Sequence, residues 1–150
     1  MVDNNLQIIT EASVMFDSDL PEFRTHGGVL LSKTNPNVIT APTVMWVKAL
    51  DMLMDKLTVS GVDFSKTAAV SGSAQQHGSV FWQKGSEKIL ASLDPGQFLH
   101  QQLASSFTVN NSPVWMDAST TVQCRQLEEA VGGALVRTRE VFAEANFALF

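Results

Sequence analysis

The residues best equipped for chemistry lie in the run Gly72-Ser73-Ala74-Gln75-Gln76-His77-Gly78-Ser79, where polar side chains stand between glycines just after a run of small, strand-like residues. A Gln side chain carries donor and acceptor atoms, and a neutral His carries one of each. That equipment binds a neutral polyol by hydrogen bonds rather than by charge, and it selects strongly, because a missing hydroxyl leaves protein groups unpaired. In layered α/β domains ligands bind beyond the carboxyl ends of strands, so the position suits a site. Spacing alone favours a simpler reading: Gln75–Gly78 as a hairpin turn bearing a solvated histidine.

Trp115-Met116-Asp117 is the second candidate. An indole at a strand end offers an apolar wall to a sugar, and the carboxylate beside it accepts hydroxyl hydrogen bonds. The structural reading, which comes first for Asp117, makes it the N-cap of the following helix, a role worth about 1 kcal/mol, and Trp115 a core residue. His26 and His100 have no His, Cys or acidic partner at metal-ligand spacing, which predicts no metal site. No GxxxxGK[ST] phosphate loop, GxGxxG run or GxSxG elbow occurs. Cys124 falls on an apolar helix face and is expected to be buried and inert.

These residues need a scaffold. The chain has 150 residues, 45% of them hydrophobic, the profile of one globular domain; at that length a complete domain buries about 68–70% of its unfolded surface. The net charge of −5 comes from scattered acidic residues, with no basic stripe interleaved with aromatics, which argues against nucleic acid. One cysteine excludes an internal disulfide, and no signal-like start or run of roughly 18 apolar residues is present. The expected compartment is reducing and cytoplasmic, without a membrane partner.

Leu6–Phe16 is rich in β-branched residues and predicts a strand, followed by a turn at Asp17–Pro21 and extended or looped chain over Thr25–Thr40. Trp46, Leu50, Leu53 and Leu57 recur at helical spacing opposite a polar series of Lys48, Asp51, Asp55 and Thr58, predicting an amphipathic helix from Pro42 to Ser60. Pro42 suits a first turn and Gly61 a left-handed stop. Thr67–Ser71 reads as a short buried strand and Ser79–Gln83 as another. Glu87–Leu93 and Gln97–Phe107 read as helices split by Asp94-Pro95-Gly96. Pro113–Met116 predicts a short strand, and Asp117 opens a helix to about Val131, stopped by Gly132-Gly133. Alternating strands and helices point to an α/β layered domain.

In order and at similar spacing, Asp19-Leu20-Pro21-Glu22-Phe23-Arg24-Thr25 with Gly27-Gly28, Met45-Trp46-Val47, Gln75-Gln76-His77-Gly78-Ser79, Pro113-Val114-Trp115-Met116-Asp117 and Cys124-Arg125-Gln126-Leu127-Glu128 closely resemble the animal xylulose kinases of the FGGY carbohydrate kinase family. The resemblance covers Met1 to about Ala134. It implies two actin-like, ribonuclease H-like ATPase domains with sugar and ATP in the cleft between them, of which residues 1–134 would be part of the first. It implies that His77 sits in the loop touching xylulose, with Gln76 beside it, and that Trp115 and Asp117 match a Trp-x-Asp motif bordering the sugar pocket.

In that family an aspartate takes the proton from the sugar's terminal hydroxyl as it attacks the γ-phosphate of Mg-bound ATP, yielding xylulose 5-phosphate and ADP. By the same resemblance that aspartate lies beyond the end of this chain, and the first strand and phosphate loop precede Met1. Residues 135–150 form a divergent tail in place of a segment supplying an arginine near the substrate. The expectation is a chain inactive alone that binds no ATP or Mg by itself. The alternative is a non-catalytic sugar-binding or protein-interaction remnant.

Overall fold

The computed structural model describes residues 1–132; the expected tail over 135–150 lies outside the described residues. The chain opens with an isolated Val2–Ile8 bridge, the one-turn helix α1 (Phe16–Asp19) and a 3-10 turn over Pro21–Phe23. Strands β1 (Leu30–Leu31) and β2 (Ile39–Pro42) follow, then helix α2 (Thr43–Val59) and a second 3-10 turn over Phe64–Lys66. The short helices α3 (Ser86–Leu90) and α4 (Leu99–Gln102), strand β3 (Asn111–Pro113) and helix α5 (Thr121–Ala130) complete the order.

The sheet is three-stranded, antiparallel and ordered β1-β2-β3, so the fold is a small mixed α/β arrangement. Thr40 is the hinge of the register, opposite Leu30 on one side and Pro113 on the other. The β2–β3 pairing crosses some seventy residues of sequence, and it sets the tip of β3 beside the start of α2. There the Thr43 and Ser112 hydroxyls meet at 2.8 Å in a buried hydrogen bond, and the Thr43 amide donates to the Asn110 carbonyl at 2.9 Å. An otherwise unpaired first-turn N–H is thereby satisfied by a strand rather than by a side-chain cap.

Helix α2 answers the prediction over Pro42–Ser60 closely. Pro42 stands at its N-cap with φ −61°, outside the helix rather than in its first turn. Its other end is a Schellman motif: Gly61 is left-handed at φ +84°, its amide bonds the Thr58 carbonyl, and the Val62 amide bonds the Leu57 carbonyl. The buried stripe differs from expectation. Leu20, Ala41, Met45 and Val114 form the core, with Trp46, Ala49 and Met52 packed around it, while Leu50 is 47% exposed. Both stripes are apolar at helical spacing, so periodicity alone left the choice open. The sheet and Leu20 settle on the Met45 side.

Other expectations are overturned. Leu6–Phe16 is not a strand: the Asp3 carboxylate takes the Asn5 and Gln7 amides, Leu6 turns left-handed at φ +62°, and the helical turn α1 begins at Phe16. Thr67–Ser71 and Ser79–Gln83 form no strand. Residues 68–71 are exposed, and 81–83 merely run beside 106–108, with Gln83 N–H bonded to the Ser106 carbonyl and the Trp82 and Phe107 rings 4.9 Å apart. The helices expected over Glu87–Leu93 and Gln97–Phe107 shrink to α3 and α4. The strand expected at Pro113–Met116 begins two residues earlier, at Asn111. Helix α5 starts at Thr121 rather than at Asp117. Cys124 is exposed, because α5 contributes no residue to the core among the described residues.

Candidate functional site

The loop of Gln76 and His77 is held next to the end of β3 by one backbone bond, from the Ser79 amide to the Pro113 carbonyl at 3.3 Å. Gly78 lies beside the same carbonyl: a Cβ there would meet the Pro113 oxygen at 3.8 Å. Two motifs more than thirty residues apart in sequence, Gln76–Ser79 and Pro113–Asp117, are thereby joined through their backbones.

Within this junction Gln76 and His77 are exposed. Their side chains make no hydrogen bond among the described residues, so the amide and both ring nitrogens are open to a ligand. His77 adopts the left-handed conformation at φ +63°, which is unfavourable for a residue with a Cβ. Trp115 is 57% exposed, so the core role is excluded and its indole faces outward. An exposed indole, an imidazole and a primary amide around one junction suit a neutral, hydroxylated ligand: the ring covers C–H groups and the polar atoms exchange hydrogen bonds.

The structural part that Asp117 plays differs from the helix cap read in the sequence. It is not the cap of α5. One oxygen accepts the Ile39 amide at 2.9 Å, and the other accepts the Ser119 amide and hydroxyl at 3.1 and 2.6 Å. It therefore closes its own turn and fastens it to β2. Partial burial pushes its carboxyl upward, but the Ser119 hydroxyl and the Ile39 and Ser119 amides outweigh that and hold it below the usual carboxylate range. Asp117 is thus an anionic strut, with acceptor capacity left for one further donor.

The acidic residues of the Asp17–Gly28 stretch are also structural. Asp17 gathers the Thr25 hydroxyl at 2.7 Å and the Gly27 and Gly28 amides at 2.6 and 3.0 Å. Asp19 pairs with Lys56 at 2.6 Å and Glu22 with Lys48 at 2.5 Å, so that this loop is clamped to α2 by two ion pairs.

Sequence reasoning missed the Asp51–His100 pair. Asp51 of α2 accepts the Leu99 and His100 amides at 3.1 and 2.8 Å and meets His100 Nδ1 at 2.6 Å. Its side chain is 14% exposed and that of His100 19%. Asp51 belongs to the polar series of α2, and only the 49-residue return of the chain shows what it meets. Open grooves of about 470 and 280 Å³ flank α2, and none of Gln76, His77, Trp115 or Asp117 lines either. No three His, Cys, Asp or Glu side chains converge as a metal site among the described residues, and none of the helices described is long and apolar enough to cross a membrane.

No protein-family model matches the chain. Curated proteins do. It is 51% identical over 135 residues to xylulose kinase 2 of Arabidopsis thaliana, covering 90% of this chain and 24% of that protein. It is 54% identical over 133 residues to the xylulose kinase of Rattus norvegicus, covering 89% and 25%. It is 46% identical over 134 residues to the xylulose kinase of Schizosaccharomyces pombe, covering 89% and 23%. The chain spans about a quarter of the length of these relatives.

Proposed function

Because this chain is homologous to FGGY-family xylulose kinases over nine tenths of its length, we propose that it supplies the sugar-side wall of a xylulose kinase-type phosphotransferase. In this reading residues 1–134 are a portion of an actin-like amino-terminal domain, and 135–150 a divergent tail. The ligand is D-xylulose, which the complete enzyme phosphorylates to xylulose 5-phosphate with ATP. His77 and Gln76 hydrogen-bond sugar hydroxyls, Trp115 covers an apolar face of the sugar, and Asp117 accepts one hydroxyl while bracing the turn. The supporting observation is the Ser79–Pro113 bond, which joins the two motifs while leaving Gln76, His77 and Trp115 exposed.

In this reading no step of phosphoryl transfer is assigned to the described residues, and the role of the chain alone is binding without turnover. Thermal unfolding with and without millimolar D-xylulose tests the reading, since a ligand that binds only the folded state raises the midpoint by mass action. A rise that disappears in His77→Ala supports sugar binding, no rise in the parent chain refutes it, and ATP-dependent phosphorylation of xylulose by the purified chain would show that turnover does occur.

A further inference from the structure

Helix α5 buries none of its ten residues among those described, and no side chain caps its first turn. A helix that short is marginal on propensity alone, below the roughly 12–15 residues an isolated helix needs, and takes its stability from packing an apolar face. Such a face is present: Cys124, Leu127 and Val131 recur at helical spacing along α5 and its C-cap, with Leu127 59% and Val131 47% exposed. Glu128 borders it.

The residues that follow match this face in geometry, pattern and charge. Gly132 is left-handed at φ +93°, its amide bonds the Glu129 carbonyl at 3.4 Å, and Gly133 comes next. Two to five residues suffice to return one helix antiparallel to another. As a helix, residues 135–150 would span about 24 Å against about 15 Å for α5, enough to cover its whole length. Leu135, Thr138, Phe142, Ala145 and Leu149 repeat with the heptad period of a helix that packs on another helix. Arg137 and Arg139 flank that stripe near its start, as Glu128 flanks the α5 face near its end, so an antiparallel pair brings opposite charges together.

A second copy suits the face less well. Three side chains make a patch far short of the roughly 1,000 Å² that a stable interface between chains buries. A segment tethered through two glycines is present at an effective concentration of about millimolar.

We propose that residues 135–150 fold back as a second helix over the Cys124, Leu127 and Val131 face of α5. Leu127 then lies opposite Thr138, Cys124 opposite Val141 and Phe142, and Val131 beside Leu135.

Cys124 is the only cysteine of the chain, so its alkylation by a small maleimide in the full-length protein tests the proposal. The rate should be about tenfold slower than in Phe142→Asp, which puts a charge into the seam. Phe147→Asp introduces the same charge on the opposite side of the second helix and should stay as slow as the parent. Val141→Cys should form a disulfide with Cys124 within one chain on mild oxidation. Equal alkylation in the parent and Phe142→Asp, equal acceleration by Phe147→Asp, or no disulfide from Val141→Cys would each overturn the proposal. Protection that disappears on hundredfold dilution would assign the face to a second copy and overturn it as well.

Discussion

Ser79 donates its backbone amide to the carbonyl of Pro113 at 3.3 Å, and this bond ties the His77 loop to the strand end that carries Trp115. Residues 72–79 make no other hydrogen bond to the described residues, so the relative position of imidazole and indole depends on it.

Removing that amide should loosen the site without touching its side chains. Ser79→Pro is expected to cost about 1 kcal/mol of stability, the net contribution of one hydrogen bond, and to weaken D-xylulose binding through lost orientation of the loop. Titration of Trp fluorescence with xylulose measures it; unchanged affinity would mean that the bond does not organise the site.

His77 holds a left-handed backbone at φ +63°. Replacement by Gly relieves that conformation and is expected to stabilise the chain by about 0.5–1 kcal/mol, yet to remove the thermal shift caused by xylulose. Opposite signs for stability and binding would mark strain kept for function; a loss of both would make His77 structural.

Gly27 and Gly28 are both left-handed, but only Gly28 is crowded: a Cβ there would lie 2.8 Å from Phe16 Cδ2, whereas Gly27 faces open space. Gly27→Ala should cost about 1 kcal/mol of backbone strain. Gly28→Ala should cost about 2–3 kcal/mol, since Phe16 must also move. Urea unfolding midpoints of the two variants give the comparison.

The carboxylates that clamp the first loop predict an acid limb. The Thr25 hydroxyl, with the Gly28 and Gly27 amides, lowers Asp17; the Lys56 ammonium, with the Met15 amide, lowers Asp19; the Lys48 ammonium lowers Glu22. A carboxyl whose folded pKa is depressed contributes stability that is full above its ordinary value and is lost as pH falls through the folded value. The urea midpoint should therefore hold steady down to about pH 5 and decline below about pH 4, the ordinary carboxylate range. Asp17→Asn should flatten that decline; an undiminished slope would leave Asp17 without a share in it.

Asp51 serves His100 and the first amides of α4 at once. Asp51→Ala leaves two amides and an imidazole nitrogen short of an acceptor in a half-buried seam, and is expected to cost about 2 kcal/mol. His100→Ala removes one contact of the three and should cost less. Denaturant titration of both variants measures the ordering.

Much of this molecule was readable before any coordinates. The span of α2, its end at Gly61, the loops on either side of β1 and the two motifs bearing Gln76, His77, Trp115 and Asp117 follow from local preference: a Gly where φ must be positive, an apolar period of 3.6, an interruption by Pro and Gly. Homology with the xylulose kinases was legible in the same motifs. None of this required knowledge of what lies across from what.

Contacts across space were decided only by the tertiary structure. Trp46, Leu50, Leu53 and Leu57 were as good a stripe as Met45, Ala49 and Met52 until Leu20 and the sheet arrived on one side. Asp117 became a strut to Ile39, 78 residues away, instead of a helix cap, and Cys124 became exposed because α5 buries none of its residues among those described. Thr67–Ser71 has the composition of a buried strand and no strand beside it among the described residues. Propensity is a property of a residue and its neighbours in sequence, whereas burial and pairing are properties of two segments, and the second segment is what a local pattern cannot contain.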